Sequence, residues 1–548
     1  MPRLVERPPG FRGVFRADAD ARAVYSEAAG IGRALPDAVA VPADVEDIAL
    51  LVRWARAQAM PVIPRGSGSS MAGGAVGDGV VLDLSRLKRI EAPDPVRRSI
   101  RAQVGVIRGE LDRRAAAIDL RFPVDPSSGE FCTIGGMAAT NAAGPRSLKH
   151  GAMRPWVLAL DCVFDDGSVA TVRRGTPPPK DVAAVRRFMD GPHTELVDHG
   201  RAPSPPPREL RHERVLKESS GYAVATYAQT QELVDLLVGS EGTLAIFTAM
   251  ELALVPTAAA RASILVSFSD IGGAVEAAIQ ARQLGASACE LLDRTFLRIA
   301  ATAGAGIPVS AESDAVLLIE TEADEPAAAR RSADEILAAC RAFGVLDAST
   351  AIEPAREEEL WSLRHAASPA IARMDPRLRS MQFIEDAAVP PESLARYVRG
   401  VRAILDRAGV AGAIFGHAGD AHVHVNPLLN VGEPGWRESL ERILVEVTEL
   451  VAQLGGSASG EHGDGRLRTP LLDKVWSPRA RETFAAVKRA FDPSAIFNPG
   501  VKVPLAGQRA VDVVKYDPAL DPLPPRARAA LDAVDRERGY ARFRLDLL

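Results

Sequence analysis

The sequence predicts an α+β protein built from two main domains, and three features of its 548 residues carry that reading. The length exceeds what one hydrophobic core ordinarily serves, so two or three domains are expected. Over residues 36–95, short apolar strand patterns alternate with a helical pattern. From about 257 to 430, Ala-rich helical stretches alternate with strand-like runs such as Ala315–Glu320.

Taken in order, residues 1–34 form an N-terminal segment, and Ala38–Val41 reads as the first strand of a domain over 35–256. Asp44 follows Pro42-Ala43 as the N-cap of a helix whose buried face carries Leu50, Leu51 and Trp54. A strand at Pro61–Pro64 leads into the glycine-rich loop RGSGSSMAGGAVGDG and then the strand Val80–Leu84. Short β-like runs continue to about 172 around a second glycine block, TIGGMAATNAAG. Residues 173–212, rich in proline and charge, read as a surface insertion. The stretch LVGSEGTLAIFTAMELALVP then reads as a helix end, a turn and a strand. After the second domain (257–430), a helical segment spans 431–503. Leu440, Leu444, Val447, Val451 and Leu454 form one apolar stripe in it, ended by Gly455-Gly456. Residues 504–548 read as a tail.

Composition narrows the function classes. A net charge of −5 makes no electrostatic case for nucleic acid or an anionic membrane as partner. Cys132, Cys162, Cys289 and Cys340 lie far apart with no CxxC, which argues against a disulfide framework, a thiolate zinc site or an iron–sulfur cluster. No apolar run approaches the roughly 18 residues of a transmembrane helix, and the start lacks a signal-peptide core. A cytoplasmic protein is the expectation.

Two groups of motifs carry chemistry. RGSGSSMAGG, TIGGMAATNAAGPRS and GSEGTLAIF each lie beside a strand, and backbone amides from three such loops suit a long anionic ligand such as a dinucleotide. The first loop fails as a Rossmann fingerprint, because GxGxxG would need glycine at Met71. The second group is GHAGDAHVHVN (416–426) with GEHGDG (460–465), which hold four of the nine histidines. Imidazoles beside carboxylates bind divalent metals or act as bases, so a composite active site is expected. By spacing alone, His422 and His424 share one strand face; His417 meets His424 only if the chain turns at Gly419-Asp420.

The ordered set VPADVEDI, PRGSGSSMAGG, DPSSGEFCTIGGMAATNAAGPRSLKHG, KESSGY, GSEGTLAIFT, GHAGDAHVHVN, GEHGDG and AIFNPG resembles the FAD-linked dehydrogenases of the vanillyl-alcohol-oxidase type. The likeness is greatest to the branch containing D-lactate, glycolate and D-2-hydroxyglutarate dehydrogenases, and it spans roughly residues 35–503. It implies a two-subdomain FAD-binding domain, a substrate-binding cap with a ferredoxin-like antiparallel sheet, and a C-terminal segment that returns to the flavin.

By motif match, Arg65, Gly66, Ser67, Gly68, Ser69, Ser70 and Gly73 would hold the pyrophosphate. Pro126, Thr133, Gly135, Gly136, Asn141, Gly144 and Gly151 would line the FAD channel, continued by Glu241, Gly242, Thr243 and Ile246, with Asn498 near the flavin ring. Serines stand where relatives attach flavin through His or Cys, so the resemblance implies non-covalent FAD. It also implies a divalent metal, zinc, on His417, His424 and Glu461, with His462 as the base that removes the substrate's hydroxyl proton. Asn426 would hydrogen-bond the substrate, and Arg364, with Ser368 one helical turn away, would hold its carboxylate.

The implied reaction is oxidation of a small D-2-hydroxy acid, of D-lactate or D-2-hydroxyglutarate type, with hydride passing to flavin N5. With no cysteine-rich half, electrons would leave to a separate acceptor: an iron–sulfur subunit, a quinone, a cytochrome or a flavoprotein. Such a partner would make the protein peripheral to a membrane. The alternatives are a non-redox flavoenzyme related to the ether-lipid synthases, or a flavin-binding subunit without activity. Two departures from the family pattern stand out. His422 occupies the place of the usual asparagine in GDGN, and no basic residue is evident in Gln382–Asp386, where hydroxyglutarate-specific members carry one nearby.

Overall fold

A computed structural model describes residues 5–200, 208–302, 309–371 and 377–548, with side chains except at 198–200, 208, 302 and 365–371. Near the N-terminus a four-stranded sheet runs in the order Val14–Arg16, Ala38–Val41, Val80–Asp83, Val62–Arg65, the last three mutually parallel. The parallel pairing needs a crossover, and the helix Val45–Ala57 supplies it, capped by the Asp44 side chain on the Asp47 amide as expected. A second, antiparallel sheet orders Ser99–Gln103, Ile246–Ala253, Val157–Val163 and Val169–Arg173.

The cap is a seven-stranded sheet with every pair antiparallel, in the order Val345–Ala351, Ala260–Phe268, Ala315–Ala323, Ala288–Asp293, Ala411–His417, His424–Asn430, Leu378–Ser380. Its central strands are apolar on both faces because helices cover both. Ile271–Gln283, Pro326–Cys340 and Leu394–Arg407 lie on one side, and Arg294–Thr302 and Pro354–Ile371 on the other. The helix Trp436–Gln453 buries Leu440, Ile443, Leu444, Val447 and Val451 in the first of these layers. Each such aliphatic contributes about 1.5–3 kcal/mol of burial, so this helix belongs to the cap. The return to the first domain comes later, after Gly455.

That return is physical. Phe484 and Phe491 from the helix Pro478–Phe491, with Ile496 and Phe497, enter the first domain's core. The chain then lies parallel to Val62, whose amide donates to Ile496 O at 2.8 Å while its carbonyl accepts from Asn498 N at 2.9 Å.

Two expectations change. Within 173–212, the helix Ala183–Asp190 is a packed element: Val185 and Phe188 are buried, and Phe188 meets the Phe491 ring at 5.2 Å. Residues 201–207 lie outside the described residues. Residues 504–548 are not a tail in structural terms either. The helix Pro525–Glu537 buries Ala527, Ala530 and Leu531 against Val39, Ile63 and Val81 of the parallel sheet. Proline and charge in both stretches masked short apolar faces that only tertiary packing reveals.

Candidate active site

A cavity of about 930 Å³ runs between the two domains. One wall is the glycine loops: Arg65, Gly66, Ser67, Gly68, Ser69, Ser70, Pro126, Thr133, Gly135, Gly136, Glu241, Gly242 and Ile246 all line it. Gly68 has φ +73°, and a Cβ there would overlap the Arg65 guanidinium packed beneath the loop. That guanidinium is 1% exposed and donates to the carbonyls of Tyr25, Glu27 and Ala75. Arg65 therefore holds the loop's shape from below, and burial pushes its pKa down to about 10. Thr133 caps the helix Ile134–Thr140, its hydroxyl accepting from Gly136 N. The buried Ser70 hydroxyl has no hydrogen-bond partner among the described residues. Backbone donors without bulky side chains, plus an unsatisfied hydroxyl, fit a phosphate-bearing cofactor such as FAD.

Six predicted cofactor residues support this wall without lining it. Asn141, left-handed at φ 53°, accepts from Arg154 N and donates to Glu218 O. Asn498 donates to Gly74 O and Glu241 O and accepts from Arg466. Thr243 bonds the Tyr222 hydroxyl at 2.6 Å. Gly73 lies against Arg466, and Gly144 against the Asp125 backbone. Gly151 ends the short helix Ser147–His150 with open space where a Cβ would be. Glu241 accepts from the Asp464 and Gly465 amides and pairs with Lys502 at 3.0 Å, tying the third glycine loop to GEHGDG.

The opposite end of the cavity is built by the cap and the returning segment: Arg364, Arg379, Phe415, His424, Asn426, Glu461 and His462 line it. The hairpin 411–430 turns through a short 3-10 segment, Ala418–Asp420, with Ala421 left-handed at φ 54°. Strand pairing resumes only at His424, yet the His422 and His424 rings lie side by side with centroids 4.8 Å apart, as their spacing predicts. The turn folds His417 back onto His424, ring centroids 5.3 Å apart.

Both rings then converge on one oxygen. His417 Nε2 lies 3.3 Å and His424 Nε2 3.4 Å from Glu461 Oε1. Tetrahedral ligands with bonds of about 2.0–2.1 Å sit about 3.3–3.4 Å apart, so this donor set fits a divalent cation such as zinc. The second nitrogens are anchored: His417 Nδ1 to Glu290 at 2.5 Å, and His424 Nδ1, donating, to the Glu385 carbonyl at 2.7 Å. Such outer partners fix which nitrogen faces a metal.

His422 bonds Asp386 through Nε2 at 2.9 Å, while its buried Nδ1 has no partner among the described residues. It offers a ligand atom within 4.8 Å of those of His417, His424 and Glu461. Burial, with the nearby Lys217 charge, pushes His422 down to about 3, and burial also lowers His424. Both rings are neutral lone-pair donors. Burial acts on His417 too, but the Glu290 carboxylate outweighs it and raises the ring's pKa.

Burial would raise the pKa of Glu461, but the Lys217 ammonium, 2.9 Å from its Oε2, together with His417 holds it ionised. His462 stacks on His424 at 5.3 Å with rings 7° from parallel, and its Nδ1 is 3.3 Å from Glu385. Burial is outweighed there by the Asp386 charge and the Glu385 bond, which push its pKa up to about 9. A cation on Glu461 would act in the opposite sense.

Arg364, 5% exposed, donates from Nε to Glu290 Oε2 at 2.6 Å and covers the Phe415 ring. The side chain of Ser368 lies outside the described residues. Several functional candidates escaped the sequence reading. Glu290, a fully buried glutamate in the apolar strand ACELLD, carried a usable signal. Glu385, Asp386 and Lys217 carried no spacing signal of their own. Gln382–Asp386 itself carries no basic residue, but Arg379, three positions earlier on the strand Leu378–Ser380, lies on the cavity wall.

Known proteins resemble this chain in sequence and in fold. The family model "FAD linked oxidases, C-terminal domain" matches residues 257–501, and "FAD binding domain" matches 36–173. The glycolate oxidase subunit GlcD of Bacillus subtilis (strain 168) is 30% identical over 87% of this chain and 92% of that protein. A D-lactate dehydrogenase of Archaeoglobus fulgidus is 29% identical over 84% of this chain and 90% of its own length. In fold, the chain is similar to the 4-ethylphenol oxidase of Gulosibacter chungangensis, with TM-score 0.65 and 16% identity over 90% of this chain and 95% of that one. Among the described residues no helix is long and apolar enough to cross a membrane.

Proposed function

This chain belongs to the FAD-linked oxidases, and from that premise we propose that it is a dehydrogenase of D-2-hydroxy acids that uses non-covalent FAD and a divalent metal, zinc. The observation that carries the reading is the convergence of His417, His424 and Glu461 at the cavity end that also holds Arg364, Asn426 and His462. A carboxylate holder, a base and a Lewis-acid site are what oxidation of a 2-hydroxy acid requires beside a flavin.

When bound, the flavin supplies the hydride acceptor for C2 and the cation polarises the hydroxyl and carboxylate. The chain's own residues do the rest. Arg364, its guanidinium oriented by Glu290, binds the substrate carboxylate. Asn426 hydrogen-bonds the substrate. His462 takes the hydroxyl proton at Nε2, while Glu385 and Asp386 stabilise the imidazolium that forms. A separate acceptor, an iron–sulfur subunit, a quinone, a cytochrome or a flavoprotein, would take the electrons.

Arg379 on the same wall favours, within this class, a substrate with a second carboxylate, of the D-2-hydroxyglutarate type, over D-lactate. The test is a panel of D-lactate, L-lactate, glycolate and D-2-hydroxyglutarate with an artificial electron-acceptor dye. Turnover of D-enantiomers supports the proposal. A flavin-loaded protein that reduces the dye with none of them overturns it.

A further inference from the structure

Residues 504–548 lie beyond the 257–501 span matched by the family's C-terminal domain, yet they wrap the glycine-loop side of the cavity. We propose that this segment forms the outer wall of the flavin channel and grips the adenylate half of FAD, with Tyr540 and Arg538 as the contacting residues. The proposal rests on FAD being the cofactor.

Three anchors fix the segment in place. The Lys515 amide donates to Ile31 O at 2.8 Å and its ammonium to Ala28 O at 2.9 Å. That N-terminal stretch in turn holds the first glycine loop, through Ala29 N to Gly68 O and Gly30 N to Ser70 O. The helix Pro525–Glu537 is seated on the parallel sheet by Leu531 and its neighbours. Beyond the helix, Arg544 donates to Ser67 O at 3.3 Å, and the Arg86 guanidinium lies 3.9 Å from the Phe543 ring centre while pairing with Asp546. A loose tail would not be bonded both to Ser67 of the loop that shapes the cavity and to the N-terminal stretch that holds that loop.

What it brings to the cavity is an aromatic corner. Tyr540 and Phe131 meet at 5.5 Å with rings 35° apart, and the Arg538 guanidinium lies 5.1 Å from the Phe131 centre. All three line the cavity with Ser67 and Lys515. Flat rings edged by cations suit a purine and its phosphate. The histidine end takes the redox ring in the proposed reaction, so the Ser67 side is left for the adenylate.

Comparing FAD with FMN, which lacks the adenylate, tests this directly. The full-length protein, stripped of flavin, is titrated with each, and the variants Tyr540→Ala, Tyr540→Phe and Arg538→Ala are compared with the parent. Tyr540→Ala is expected to raise the FAD dissociation constant about tenfold, the scale of one stacking contact. Tyr540→Phe should stay near the parent, and FMN binding should not change in any variant. Melting of the flavin-free proteins checks the fold, and Arg538→Ala, at an exposed position, serves should Tyr540→Ala fail to fold. FAD affinity within twofold of the parent in both alanine variants overturns the proposal, as does equal weakening of FAD and FMN. A parent that binds no FAD would instead overturn the cofactor assignment.

Discussion

Glu290 and His417 are cross-strand partners in the cap sheet, and the Glu290 carboxylate lies 2.5 Å from Nδ1 of the His417 ring. The same carboxylate accepts from Arg364 with its other oxygen. One buried side chain therefore orients both the ring proposed to ligate the metal and the guanidinium proposed to bind the substrate, so the two halves of the proposed site are mechanically linked.

Glu290→Gln tests that linkage. The amide keeps the volume but weakens both bonds and leaves Arg364 without a charged partner among the described residues. Metal affinity should fall about 10–100-fold, and KM for hydroxy acids should rise in the same variant. Metal titration and steady-state kinetics read the two effects. A change in one without the other would show that Glu290 serves only one partner.

His422→Asn restores the residue usual in the family pattern. In this chain the His422 ring bonds Asp386 and offers a ligand atom within 4.8 Å of those of the proposed metal ligands. The substitution should therefore weaken metal binding by about tenfold or more while flavin content stays at parent level. Metal affinity equal to the parent's would assign His422 to packing alone.

The domain interface should respond to acid. Glu322 of the cap is buried against Arg121 and Lys149 of the first domain at 2.7–2.8 Å. Burial raises its pKa, but hydrogen bonds from His150 and Lys149 and the Arg121 charge outweigh that and hold the carboxyl well below its ordinary value. A carboxyl with a depressed folded-state pKa stabilises fully above its unfolded value, about 4.3, and loses that contribution as pH falls below it. Glu322→Gln should cost about 2–4 kcal/mol at neutral pH. The gap between parent and variant should close as denaturation is measured at progressively lower pH. A gap independent of pH would contradict the ionic account.

Much of this was legible in the sequence because the signals were local. The capped helix after Asp44, the strands at Ala38–Val41 and Val80–Asp83 and the apolar stripe of Trp436–Gln453 each follow from residue periodicity. The partners that tune the site were not legible, because they come from elsewhere in the chain. Glu290 is 127 residues from His417, Lys217 reaches Glu461 across two domains, and Asp386 meets His422 through an irregular bridge at Ala388. The nearness of His422 and His424 follows from their spacing, and the rings lie 4.8 Å apart, whereas the approach of His417 depends on the turn that ends at the left-handed Ala421.

The most direct test of the central claim is anaerobic spectroscopy of the flavin-loaded protein on addition of D-2-hydroxyglutarate or D-lactate, with and without prior removal of metal by a chelator. The account predicts that the visible flavin band bleaches in the metal-loaded protein, stays oxidised after chelation and bleaches again when zinc is restored. It also predicts that His424→Ala retains its flavin but does not bleach. A band that bleaches equally in the chelated protein and in His424→Ala would contradict the metal-assisted site, and a band that never bleaches with any 2-hydroxy acid would contradict the dehydrogenase itself.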